Sequence, residues 1–351
     1  MRIGDINVRN PVFLAPMSGI TDAPFRRLVA RLGAGLVVSE MTAGAQLAMG
    51  ERDARLRVEG RQVGVYAVQL AGCEPHWMGE AARIAEASGA AIIDINMGCP
   101  ARYVTGAQSG SALMRDLEHA ATLIKATVKA VSLPVTLKMR LGWDDSTRNA
   151  PELARRAEDQ GVRLITVHGR TRSQFYKGRA DWVAVSEVKA SASVPVIVNG
   201  DIRSGIDARA ALLASGANGL MIGRAACGRP WLPGQIARSL AGHAEAVPPL
   251  GTQLQLVDEL YQEMLLHYGR EVGRRHARKH LGWALDVAAE TTGAEPLHVK
   301  AHRYRVLTAE EPTAVRRYLA QAYAGLAENA ARHSSLTHAP ARLPAASSLA
   351  A

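Results

Sequence analysis

The segment Asn96-Met97-Gly98-Cys99-Pro100 combines residue types and spacing that allow chemistry. Of the chain's three cysteines, Cys99 alone is flanked directly by Gly and Pro, in a loop after an apolar run. A cysteine thiol is mostly protonated at neutral pH, which suits a proton donor. A nucleophile would need a neighbouring base or a helix N-terminus, and no base stands beside Cys99 in sequence. A small buried thiol packing as a hydrophobe is the alternative, and it suffices for Cys73 and Cys227. Other polar residues recur at the ends of short apolar runs: Pro16-Met17-Ser18, Glu40, Gln69, Lys138 with Arg140, and His168 with Arg170 and Arg172. Asn199-Gly200-Asp201 and Gly223-Arg224 complete the set. A buried lysine is costly unless it faces an anion or electron-rich ligand, or pairs with an acid such as Glu40. His168 is equally open to a structural reading. The two glycine-bearing pairs fit a phosphate, since glycine lets backbone N–H groups approach oxygen closely and Arg224 adds charge.

Something must bring these run-ends together. Eight β-branched runs, at 12–15, 36–39, 65–69, 92–96, 135–138, 164–168, 196–199 and 220–222, predict strands. Amphipathic stretches at 75–88, 116–131, 151–160 and 204–215 predict helices between them, with Gly33, Gly89, Gly161 and Gly216 as stop signals. Eightfold alternation predicts an α/β TIM (β/α)8 barrel, with both faces of its strands buried. A doubly wound sheet is disfavoured, because no strand is followed by GxGxxG. Barrel active sites form at the carboxyl ends of the strands, with phosphate after strands 7 and 8, and the polar residues stand there.

The barrel is expected over 1–240, and an Ala/Gly/Pro-rich linker follows. Residues 252–332 have helical periodicity and predict a small C-terminal helical domain; 333–351, rich in Ala, Ser and Pro, predict a disordered tail. With 351 residues and 48% hydrophobic content, the chain can bury a large core. It lacks a run of the roughly 18 apolar residues a membrane span needs, and no signal-peptide h-region is evident. Three unpaired cysteines exclude a disulfide scaffold or zinc site and fit a reduced, cytoplasmic enzyme.

The motifs resemble those of the bacterial tRNA-dihydrouridine synthase family, nearest its B-type, nitrogen-regulation-like group. The matching pieces include Ala15-Pro16-Met17-Ser18-Gly19, Asn96-Met97-Gly98-Cys99-Pro100, Val167-His168-Gly169-Arg170 and Val198-Asn199-Gly200-Asp201, in order across roughly residues 1–285. The resemblance implies a barrel that binds FMN, with NADPH or NADH as reductant. It implies that Pro16, Met17, Ser18, Gln69, Lys138 and His168 contact the flavin, and that Asn199, Gly200, Asp201, Gly223 and Arg224 hold its phosphate. Hydride from reduced flavin would reach C6 of a D-loop uridine in tRNA, and Cys99 would protonate C5. Relatives often carry two basic residues after Cys-Pro-Ala; here Arg102 is followed by Tyr103, which could stack on a base.

The net charge of +10 fits an RNA partner. Residues 1–251 hold 30 Lys+Arg and 22 Asp+Glu, whereas 252–333 hold 11 and 10. The helical segment is therefore patterned rather than broadly basic. Arg274, Arg275, Arg278 and Lys279 predict one basic helix face, and Lys300, Arg303 and Arg305 form a second cluster. Asn96, Arg102, Arg170, Arg172, Arg274, Arg278 and Lys279 are the expected tRNA contacts; no metal, membrane or obligate protein partner is expected. Two alternatives remain: a flavin barrel acting on a free pyrimidine, which leaves the basic helices without purpose, and a non-catalytic RNA-binding module, which leaves the polar ring unexplained.

Overall fold

The structure is a computed structural model describing residues 1–294 and 296–337. Its chain divides into two compact units, Met1–Ala246 and Val247–Ala351.

Eight parallel strands close into a TIM barrel in the first unit. They are β1 (Val12–Leu14), β2 (Leu36–Val38), β3 (Tyr66–Ala71), β4 (Ile92–Met97), β5 (Val135–Arg140), β6 (Ile165–His168), β7 (Val196–Asn199) and β8 (Gly219–Ile222). Each pairs with the next, and Leu220 against Val12 joins β8 to β1 to complete the ring. All eight lie where the apolar runs predict strands. Every residue of β3, β4 and β5 is buried, as a sheet covered on both faces requires. The four predicted intervening helices are Pro75–Ala87, Leu117–Ala130, Ala150–Asp159 and Gly205–Ser215. Asp116 and Ser204 cap two of them by accepting the N–H of His119 and Asp207.

Two short features escape the sequence patterns. The hairpin Arg2–Ile3/Ile6–Asn7 buries Ile3 and Val8 among Phe13, Leu36, Ala67, Ile92 and Ile197, near the amino ends of five barrel strands. It therefore plugs the end opposite the predicted site; burying one such side chain stabilises by about 1.5–3 kcal/mol. The short strand Thr42–Ala43 pairs beside Leu70 and Ala71.

The second unit contains helices Leu250–Tyr268, Arg270–Thr292, Pro296–Thr308 and Pro312–Thr337. Leu260, Tyr261, Met264, Leu281, Leu285, Leu319 and Tyr323 form its buried interior. Gly273 allows the first two helices to cross closely, because a Cβ there would stand 2.4 Å from the Met264 carbonyl oxygen. The final helix includes 333–337, five residues of the stretch predicted as a disordered tail; 338–351 lie outside the described residues. Among the described residues no helix is long and apolar enough to cross a membrane, and no His/Cys/Asp/Glu group could hold a metal ion.

Candidate active site

Strand register carries the polar run-ends to one level. Asn96 pairs with Lys138, His168 with Asn199, and Asn199 with Met221. Above them opens a cavity of about 690 Å³, lined by Met17, Gln69, Asn96, Cys99, Lys138, His168, Asn199, Gly200, Gly223 and Arg224, among others. That volume lies within the range of a cofactor or drug-sized ligand site. Pro16, Ser18 and Asp201 also line it, so all eleven residues predicted to hold a cofactor share one cavity with Cys99.

Cys99 follows the end of β4 and is partly exposed. Its peptide is fastened on every side. Asn96 Oδ1 accepts the N–H groups of Gly98 at 3.1 Å and Cys99 at 2.9 Å. Arg140 Nε donates to the Gly98 carbonyl at 2.7 Å, and Ser111 Oγ donates to the Cys99 carbonyl at 2.8 Å. Asn96 Nδ2 in turn donates to Gln69 Oε1 at 2.7 Å, so Asn96, predicted as a substrate ligand, lines the cavity and also holds the cysteine loop.

The cationic side of the cavity is tuned by burial. Lys138 is buried and donates from Nζ to Asn199 Oδ1 at 3.2 Å; Asn199 Nδ2 is anchored on the Met221 carbonyl at 2.8 Å. Burial, reinforced by Arg140, lowers the Lys138 pKa to about 8. Its suggested pairing with Glu40 is absent: the Glu40 carboxylate accepts the Gly19 N–H instead. Burial and four neighbouring cations hold His168 well below its ordinary value, so it is neutral at pH 7. Neutral His168 faces Arg170 Nη1 through Nε2 at 3.2 Å and must accept there, which leaves its proton on Nδ1.

Gly200 at φ +120° provides a cradle: a Cβ there would meet Ala180 Cβ at 2.7 Å and His168 Cδ2 at 3.0 Å. At Gly223 a Cβ would meet only Ala15, at 3.9 Å, leaving open space beside Arg224. Two glycine backbones, an exposed guanidinium and a lysine close by suit an anionic, phosphate-bearing ligand.

Several expected roles need correction. Arg170, expected to contact tRNA, is not free to do so: it is 1% exposed. Its guanidinium is tied to His168, Asp201 and the carbonyls of Lys177 and Gly178. Asp201 is not a side-chain phosphate ligand. Burial alone would raise its pKa, but the Ala180 N–H and Arg170 lower it, so its carboxylate is an anion already engaged. Arg172 is sandwiched by the rings of Trp143 at 4.4 Å and Phe175 at 5.1 Å, which limits its reach. Arg274 is buried in the helical unit, donating to the Ala309 carbonyl and to Glu271, whereas Arg275 and Arg278 are exposed and Lys279 half-buried. Arg303 is paired with Asp286. Arg102 is exposed on the short helix Arg102–Gly106, and its neighbour Tyr103, 72% exposed, lines the cavity.

Sequence reasoning gave no role to Arg140, Asp94 or Tyr176. Arg140 is buried and also holds the carbonyls of Thr171 and Phe175. Tyr176 lies under Arg224, with its guanidinium carbon 4.8 Å from the ring centroid. Asp94 does have a sequence signal: a carboxylate inside an apolar strand must find partners once buried.

Fold and site together define a TIM-barrel enzyme with a cysteine held over a cavity lined by Lys138 and several arginines. The dihydrouridine synthase (Dus) family model matches residues 13–313, and the chain belongs to that family. A probable tRNA-dihydrouridine synthase of Rhizobium leguminosarum bv. phaseoli is 51% identical over 314 residues, covering 87% of this chain and 97% of that protein. A tRNA-dihydrouridine synthase B of Xanthomonas axonopodis pv. citri is 48% identical over 286 residues, covering 81% and 86%. Among solved structures, an old yellow enzyme homologue from Zymomonas mobilis shares the fold: TM-score 0.51, 15% identity, 72% of this chain and 94% of that one.

Proposed function

We propose that this enzyme reduces the C5–C6 bond of a D-loop uridine in tRNA to dihydrouridine, in the cytoplasm. The observation that carries the reading is Cys99, fixed at the mouth of a phosphate-ready barrel cavity in a chain of this family. The cavity's residues fit FMN: Gly200, Gly223 and Arg224 would receive its phosphate, and Pro16, Met17, Ser18, Gln69, Lys138 and His168 would line its ring and ribityl chain. Bound FMN would supply the two-electron redox chemistry, replenished by NADPH or NADH.

The residues of the chain do the rest. Lys138 places a cation deep in the cavity, where it opposes negative charge building on a ligand during reduction. Arrival of a hydride at C6 of uracil leaves electron density at C5, and the Cys99 thiol gives its proton there. The product has then gained one hydride and one proton. A stacked base cannot reach this cavity, so the uridine must turn out of the tRNA, at a cost of a few kcal/mol. Tyr103, exposed beside Cys99, offers a stacking surface that offsets part of that cost.

Cys99→Ala tests the assignment. The purified variant should keep the yellow flavin absorbance and lose at least about a hundredfold in turnover on unmodified tRNA with NADPH, the usual scale for a lost general acid. Full activity in the variant would remove Cys99 as the acid. Colourless wild-type protein that forms no dihydrouridine would remove the function.

A further inference from the structure

Beneath the cysteine loop lies a line of buried polar side chains. Thr136 Oγ1 donates to Asp94 Oδ1 at 2.6 Å. Gln69 Nε2 donates to Asp94 Oδ2 at 2.7 Å, and Asn96 Nδ2 donates to Gln69 Oε1 at 2.7 Å. Asn96 Oδ1 then accepts the N–H groups of Gly98 and Cys99. The barrel register aligns the first members, pairing Gln69 with Asp94 and Asp94 with Thr136. Asp94, Gln69, Asn96 and Thr136 are all 6% exposed or less.

Each carboxamide in this line could turn over, exchanging its oxygen and nitrogen. A reversed Asn96 would aim its NH2 group at two backbone N–H donors and its oxygen at Gln69 Oε1. A reversed Gln69 would aim its oxygen at the Asp94 carboxylate. One orientation therefore satisfies every group: the Gly98 and Cys99 N–H groups fix it at one end, and Asp94, which offers Gln69 only an acceptor, fixes it at the other. Protonation does not undo this, because a proton on Oδ1 can bond to the Thr136 hydroxyl while Oδ2 still accepts. We infer that Asp94 is a positioning residue for Cys99: through Gln69 and Asn96 it sets the hydrogen-bond direction that holds the cysteine loop over the cavity. The inference rests on the proposed role of Cys99.

Polarity makes this testable by exchange. Gln69→Glu puts a second acceptor against Asp94. The double variant Gln69→Glu/Asp94→Asn restores the order, since the amide introduced at position 94 and the Asn96 amide both donate to the carboxylate introduced at 69. The readout is the iodoacetamide alkylation rate of Cys99 in the flavin-containing protein, followed by peptide mass spectrometry to separate it from Cys73 and Cys227. It needs no tRNA and no turnover, so it can fail independently of the proposed function. Gln69→Glu should change the Cys99 rate at least about fivefold, the scale of one frustrated buried hydrogen bond, and the double variant should return it to within about twofold. Thr136→Val leaves the direction of the line intact and should also stay within about twofold. An unchanged rate in Gln69→Glu overturns the inference, as does a folded double variant that remains as altered as the single. Should Gln69→Glu not fold, a double variant that folds with the wild-type rate supports the inference, and one that folds with a fivefold different rate, or does not fold, overturns it.

Discussion

Lys138 shows how far burial can retune a single residue. Burial and Arg140 lower its pKa from 10.5 to about 8. Below pH 8 the amine is charged in both folded and unfolded chains, so the cost of burying it is fully present. Between pH 8 and 10.5 the folded amine loses its proton while the unfolded one keeps it. The unfolded chain then binds more protons, and stability rises with pH. The relief across this window is on the order of 3 kcal/mol. Lys138→Met removes the charge, with a constant offset from the lost bond to Asn199. In flavin-free protein, denaturant midpoints should therefore favour the methionine variant most at pH 7 and progressively less from pH 8 to 10. A stability difference that does not move with pH would place Lys138 in a wetter setting. The same electrostatics bear on function, since the charged form that would oppose ligand anions is lost as pH passes about 8.

At the scale of elements, the turn after β7 depends on one conformation. Gly200→Ala must move backbone, because φ is +120° and the added methyl meets Ala180 and His168 within 3.0 Å. Destabilisation of about 1–3 kcal/mol follows, together with loss of bound flavin. Gly251→Ala, in the first turn of the helix Leu250–Tyr268, meets nothing within 4 Å, so it should leave melting temperature and flavin content nearly unchanged. Calorimetry and flavin absorbance on the two variants check the contrast, and a Gly200→Ala protein with wild-type melting and flavin content would refute the cradle. The turn was legible because Asn199-Gly200-Asp201 ends an apolar β-branched run, and such runs located all eight strands. Two-residue strands such as Arg2–Ile3 are too short to show any period. Tyr176 sits in an irregular loop, where no periodicity reports which side chains turn inward. Asp94 and Thr136 were hidden differently: strand period places them inside, but only the register of three strands makes them neighbours of Gln69.

For the whole molecule, sequence charge could suggest an RNA partner but could not separate free cations from structural ones. Arg274 and Arg278 stand four residues apart on one helix, which suggests a shared face. Yet Arg274 is buried and holds the Ala309 carbonyl, while Arg278 and Arg275 face solvent. The helix Arg270–Thr292 therefore divides the row between holding the helical unit together and offering charge outward. If the outward residues contact tRNA phosphates, Arg275→Ala/Arg278→Ala should weaken tRNA binding and flatten its salt dependence, reducing the slope of log K against log salt by about 1 per lost contact. Its melting temperature should stay close to wild type, because solvent-exposed arginines contribute little to stability. Arg274→Ala should do the reverse: it lowers the melting temperature by removing a buried guanidinium and its partners, while the salt slope keeps its wild-type value. Titrating labelled tRNA into each variant at several salt concentrations separates the two classes. Equal tRNA affinity and an unchanged slope in the Arg275/Arg278 variant would mean that this helix face does not meet the RNA, and would leave tRNA docking to the barrel unit, where 30 Lys+Arg exceed 22 Asp+Glu within residues 1–251.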